Sequence, residues 1–105
     1  METIQDILNE CKTLLECHYG AQFKGLVLYG STARNQAESE SDIDLLVLLD
    51  EPFDYFHELR LIIEILYPLQ LEIDRLISAK PVSNADFEHG RFQLFRNAKR
   101  DGVLV

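Results

Sequence analysis

A chain of 105 residues is long enough for one domain, spanning residues 1–105, with one modest core. Its hydrophobic share of 47% and charged share of 27% are ordinary for a globular protein in water. The formal net charge of −8, from 10 basic and 18 acidic residues, opposes direct binding of nucleic acid unless a local basic patch overrides it. No long uncharged apolar run is present, so no membrane span is expected. Glu2 and Asp6 precede any apolar block, which is wrong for a secretory signal. Cys11 and Cys17, six residues apart, point to different faces of a helix and read as free thiols, in keeping with a cytoplasmic location.

In chain order, residues 2–19 carry Ile4, Ile7, Leu8, Cys11, Leu14 and Leu15 at helical spacing, with Gly20 as a stop signal. Phe23 to Tyr29 is a short apolar run ending at Gly30, the signature of a buried strand. Ser31 to Gln36 suits a brief helix and Ala37 to Ser41 a polar loop. Asp42 to Leu49 is the second expected strand. Pro52 opens a helical segment, Phe53 to Leu66, that Pro68 is expected to end. Its apolar residues cover more than one face, which means either a well-buried helix or a second contact surface. Leu69 to Ser78 reads as a third strand. Pro81 and Ser83 introduce one last helix, with Asp86 in a capping-box-like position. Phe87, Arg91, Leu94, Phe95 and Ala98 share a face of it, Gly102 ends it, and Val103 to Val105 is a final extended piece.

Two features on the segment from Leu26 to Asp50 carry chemistry. Gly30 lets the backbone approach a ligand closely. Amides at a following helix start favour an anion, and the Ser31 hydroxyl adds a donor. By itself this pair reads as a plain strand-to-helix turn, and Arg34 serves equally as a phosphate contact or a helix cap. The second feature is Asp42 and Asp44, which alternation puts on one face while Ile43, Leu45 and Val47 point to the other. A solvated strand edge is the bland reading. Carboxylates held close together, however, favour a shared proton or a cation. Magnesium suits them, since it binds through one or two carboxylates plus substrate phosphates. A third carboxylate would come from Asp74, with Glu72 as the neighbour that sequence alone does not separate from it. On that strand Arg75 falls awkwardly on the apolar face.

Gly30-Ser31-x-Ala33-Arg34 followed by Ser41-Asp42-Ile43-Asp44-Leu45-Leu46-Val47 resembles the minimal nucleotidyltransferase family of the DNA polymerase β-like superfamily. The likeness covers nearly the whole chain, through Ile73-Asp74 to the ending Arg100-Asp101-Gly102. It implies an α+β nucleotidyltransferase fold, a mixed sheet with helices packed on one face and the cleft on the other. It implies that Gly30, Ser31 and Arg34 hold the triphosphate of ATP. Asp42, Asp44 and Asp74 would bind two Mg2+ ions, and Asp74 would help activate an attacking hydroxyl. Two positions depart from the family pattern: Asn35 stands where glycine is common after the arginine, and Arg75 where an apolar residue is common after the third aspartate.

Small members of the family resembling this chain are commonly paired with a HEPN-domain protein, a helical RNase toxin. The nucleotidyltransferase is then the antitoxin and adenylylates a tyrosine of the toxin. Two other functions stay open: a catalytically silent antitoxin that blocks its partner sterically, and a transferase for a small-molecule acceptor. His18, His57 and His89 show no ligand spacing.

Overall fold

The computed structural model describes residues 3–30 and 42–105. The first helix, α1 (Ile4–Tyr19), starts where it does because Thr3 caps it. The Thr3 hydroxyl accepts from the Asp6 amide and the Asp6 carboxylate accepts from the Thr3 amide, each at 3.1 Å. This reciprocal pair satisfies two donors at the helix start. Gly20, at φ 58°, stops it, and a single 3-10 turn leads into β1 (Phe23–Tyr29).

Four strands form one mixed sheet in the order β3-β2-β1-β4. β2 (Ile43–Leu49) runs antiparallel to β1, with Tyr29 opposite Asp44. β3 (Ile77–Ser83) runs parallel to β2, with Ser78 opposite Asp44 and Lys80 opposite Leu46. A parallel pair needs a crossover, and α2 (Tyr55–Gln70) supplies it. β4 (Val103–Leu104) closes the other edge against β1.

The two long helices pack on one face, where Leu26, Leu28, Ile43, Leu45, Val47 and Leu49 meet Ile7, Leu15, Ile62 and Leu66. The other face holds a smaller cluster of Val27, Leu46, Leu48 and Val82 under Phe87 and Ala98, from α3 (Asn84–Glu88) and α4 (Gln93–Asp101). Apolar neighbours therefore cover β2 from both sides, which is why its sequence is apolar throughout except at Asp44.

Three boundaries differ from the sequence expectation. α2 does not end at Pro68, which sits inside its last turn. The proline forfeits one ladder bond, but the Leu71 amide still closes on the Tyr67 carbonyl at 3.1 Å, and the extra turn buries Leu69. The third strand is 77–83, not 69–78. The side chain of Gln70 holds the chain back: its amide donates to the Arg75 carbonyl and its oxygen accepts from the Ile77 amide, both at 2.8 Å. Arg75 thus lies ahead of the strand, which removes the awkwardness of a charge on the core face. Pro81 belongs to β3 because edge strands leave half their backbone groups outside the ladder. The expected single last helix is two. Ser83 caps α3 through the Asp86 amide at 3.3 Å, and Gly90, at φ 61°, breaks the chain before α4.

The middle helix is not buried all round, and its apolar residues divide between core and surface. Phe56, Ile63 and Tyr67 are 71%, 58% and 55% exposed on α2 while Ile62 and Leu66 fill the core. Among the described residues no helix is long and apolar enough to cross a membrane.

The Gln70 clamp makes a test of the β3 boundary. Gln70→Ala leaves two partners unsatisfied and is expected to lower the unfolding free energy in urea by about 1–3 kcal/mol. Glu72→Ala, on the exposed turn beside it, is expected to change it by less than about 0.5 kcal/mol.

Candidate functional site

β1 ends where β2 and β3 begin, so one end of the sheet gathers Tyr29, Gly30, Asp44 and Ser78. Asp44 is half-buried on the face it shares with Leu46 and Leu48. Its carboxylate leans against Gly30: a Cβ built on that glycine would lie 2.8 Å from Asp44 Oδ2. With φ at +81° the position also suits glycine on backbone grounds. Gly30 is thus fixed by the carboxylate beside it as well as by any ligand above it.

Asp42 is exposed, one step ahead of β2. Asp44 holds its proton more tightly than an ordinary aspartate, first because burial strips water from the carboxylate and second because the Asp42 charge repels its own. Lys80 acts in the opposite direction without cancelling them. Its ammonium lies 6.0 Å from the centre of the Tyr29 ring. On the other flank, a cavity of about 210 Å³ is lined by Tyr29, Gly30, Leu94, Asn97, Asp101 and Gly102. Sequence reading placed Tyr29 only at the end of a buried strand and did not single out Lys80. The alternation of Ser78, Lys80 and Val82 against Ile77, Ala79 and Pro81 is the signal that a correctly placed third strand would have exposed.

The structure brings Gly30, Asp42 and Asp44 together. Ser31 and Arg34, with the expected brief helix and polar loop, lie outside the described residues. Asp74 does not join the pair on a strand face: it is exposed on the bend before β3, as Glu72 is on the preceding turn. Among the described residues no group of three or more histidines, cysteines or acids is placed to hold a metal. Two mutually repelling carboxylates beside a glycine-lined opening do fit a divalent cation that takes its remaining ligands from phosphates and water. Elsewhere, burial pushes the Cys11 thiol up to about 12, which leaves it an inert core residue. Cys17 is a free exposed thiol.

Fold and site together define a class: a small α+β domain presenting an Asp-x-Asp strand to a glycine turn. The chain belongs to the nucleotidyltransferase domain family, whose model matches residues 4–97. Three relatives from Methanocaldococcus jannaschii, each called "Putative protein adenylyltransferase", are similar to it. One is 37% identical over 86 residues, 80% of this chain and 83% of the relative. The other two are 38% and 42% identical over 52 residues, so that the chain matches about half their length, 52% and 51%. Two crystal structures share the fold. One is a mutant of the toxin-antitoxin MntA-HpeT, with a TM-score of 0.61 at 19% identity over 93% of this chain and 70% of that one. The other is a "putative nucleotidyltransferase" from Sulfolobus solfataricus, with a TM-score of 0.59 at 17% identity over 96% and 83%.

The raised proton affinity of Asp44 has a stability consequence. Native protein holds this proton more tightly than the unfolded chain, where the ordinary value of 3.8 applies. The charged carboxylate therefore costs stability that appears as pH rises above that value and is complete once the native group has ionised. Asp44→Asn is expected to raise the melting temperature at neutral pH without divalent metal, and to give no gain near pH 3. Millimolar Mg2+ is expected to raise the melting temperature of the native chain and not of the variant.

Proposed function

We propose that this chain is a magnesium-dependent protein adenylyltransferase, the antitoxin of a HEPN-domain toxin, and that it transfers AMP from ATP to a tyrosine of that toxin. The observation that carries this reading is the Asp42–Asp44 pair set against Gly30. The names of the relatives support a protein acceptor, and a toxin-antitoxin complex is among the proteins that share the fold. The exposed apolar side of α2 is surface of the kind that protein partners cover. A net charge of −8 suits a protein acceptor better than a nucleic acid end.

In this reading Asp42 and Asp44 hold the cation, which when bound neutralises phosphate charge and aligns the attacking and leaving oxygens. Gly30 keeps the strand end low enough for the triphosphate to approach, with Ser31 and Arg34 following it in the chain. The tyrosine oxygen forms a bond to the α-phosphorus as the bond from that phosphorus to the bridging oxygen of the β-phosphate breaks. Pyrophosphate leaves, and the phenolic proton passes to water. Asp74, which the family likeness makes the third acid, stands apart on its bend and enters the reading as a residue to be tested.

Asp44→Asn is expected to reduce transfer about 100-fold or more while the protein stays folded. Intact mass of the protein encoded beside this one, after incubation with ATP and Mg2+, measures it. A gain of one or more AMP units with the native chain and none with the variant is the expected result; equal gains would remove Asp44 from the chemistry. Asp74→Asn is expected to cost less than about tenfold, since its carboxylate is not gathered with the pair; a loss equal to that of Asp44→Asn would place it in the site. That same separation of Asp74 favours a second reading, an antitoxin that neutralises by binding without transfer. In that case Asp44→Asn still neutralises the toxin.

A further inference from the structure

Lys80 is unused by the reading above, and its position is unusual for a lysine on an edge strand. It lies on β3, on the sheet face that carries Asp44, with Leu46 of β2 as its register partner. Tyr29 lies on β1, opposite Asp44, so β2 runs between the two residues. Neighbouring strands are about 4.8 Å apart and residues rise about 3.3 Å along them, so two strand spacings and a two-residue offset put Lys80 and Tyr29 roughly 12 Å apart at the backbone. Yet the ammonium comes within 6.0 Å of the Tyr29 ring centre. The side chain therefore does not run out to solvent at the sheet edge. It reaches inward across β2 and brings its charge over the face where Asp44 stands, near enough to act on that carboxylate.

A cation there has two uses. It offsets part of the Asp44 charge in the unliganded protein. Once a divalent ion takes over that task, an ammonium with three donors is left on the same face. A nucleoside triphosphate brings more negative charge than one divalent ion neutralises, and a compact ammonium at a fixed place is the usual complement to such a phosphate chain.

We propose that Lys80 is a substrate-binding residue whose ammonium holds the phosphate chain of the nucleoside triphosphate, and the pyrophosphate it becomes, beside the Asp42–Asp44 pair. This rests on the nucleotidyl-transfer reading and adds to it the residue that binds the leaving group.

The test uses the full chain with Mg2+ and two probes, α,β-methylene ATP and inorganic pyrophosphate, titrated by calorimetry. Lys80→Met is expected to weaken both probes by about tenfold or more, and Lys80→Arg, which keeps the charge, to restore binding to within about threefold. Circular dichroism reports folding; if Lys80→Met is unfolded, Lys80→Gln takes its place. Equal binding of both probes by the native chain and Lys80→Met overturns the assignment and leaves the nucleotidyl-transfer reading standing. Weakening by Lys80→Arg as severe as by Lys80→Met also overturns it, because charge would then not be what matters. Failure of the folded native chain to bind either probe overturns the assignment together with the reading it rests on.

Discussion

One carboxylate on an otherwise apolar strand constrains the rest of this molecule. β2 is covered on both faces, and its side chains from Leu45 to Leu49 are buried. Asp44, near the strand start, is only half-buried. Even there it needs room, and the missing Cβ of Gly30 provides it. Any other residue at position 30 would have to displace either the carboxylate or the end of β1. The antiparallel register that sets Tyr29 opposite Asp44 is therefore part of the site as well as of the fold.

The topology then decides what else arrives at that point. An antiparallel β1–β2 pair brings the end of one strand to the start of the next. A parallel β2–β3 pair, bridged by α2, brings the start of a third strand to the same place. Backbone register thus delivers a turn, a carboxylate and, two residues into β3's shared face, a lysine from stretches far apart in sequence. The helices do unequal work. α1 and α2 bury the larger cluster and fix the sheet, while α3 and α4 cover part of the opposite face, and α4 lines the cavity beside Gly30.

Most of this plan was legible in the sequence, because its strongest signals are local. The helical spacing of Ile7, Leu8, Cys11 and Leu15 places α1 on the core, and the apolar runs before Gly30 and after Asp42 give β1 and β2 nearly to the residue. The opposite facing of Asp44 and Leu45 follows from strand alternation and is what the two clusters display. What was not legible depended on contacts from outside the segment. Pro68 reads as a stop, but burial of Leu69 outweighs one lost hydrogen bond. Leu69 to Ser78 has a strand's composition, but the side chain of Gln70 binds the backbone seven residues on and delays the strand to Ile77. Pro81 reads as a breaker and is tolerated because β3 is an edge, a fact of topology that no local pattern encodes. The delayed strand is also why Lys80 was overlooked and why Asp74 was expected where the sheet does not carry it.

That displacement bears on what the site is suited to accept. Two carboxylates are enough to hold a cation between the protein and a phosphate chain. A third acid is most needed where the attacking hydroxyl gives up its proton reluctantly, as an aliphatic alcohol does. A tyrosine hydroxyl, with an ordinary pKa of about 10, ionises far more readily, and a nearby cation lowers the demand further. The two acids gathered among the described residues therefore fit the proposed phenol acceptor more readily than a ribose or sugar hydroxyl. The acidic surface and the exposed face of α2 are likewise compatible with the protein acceptor proposed for this chain.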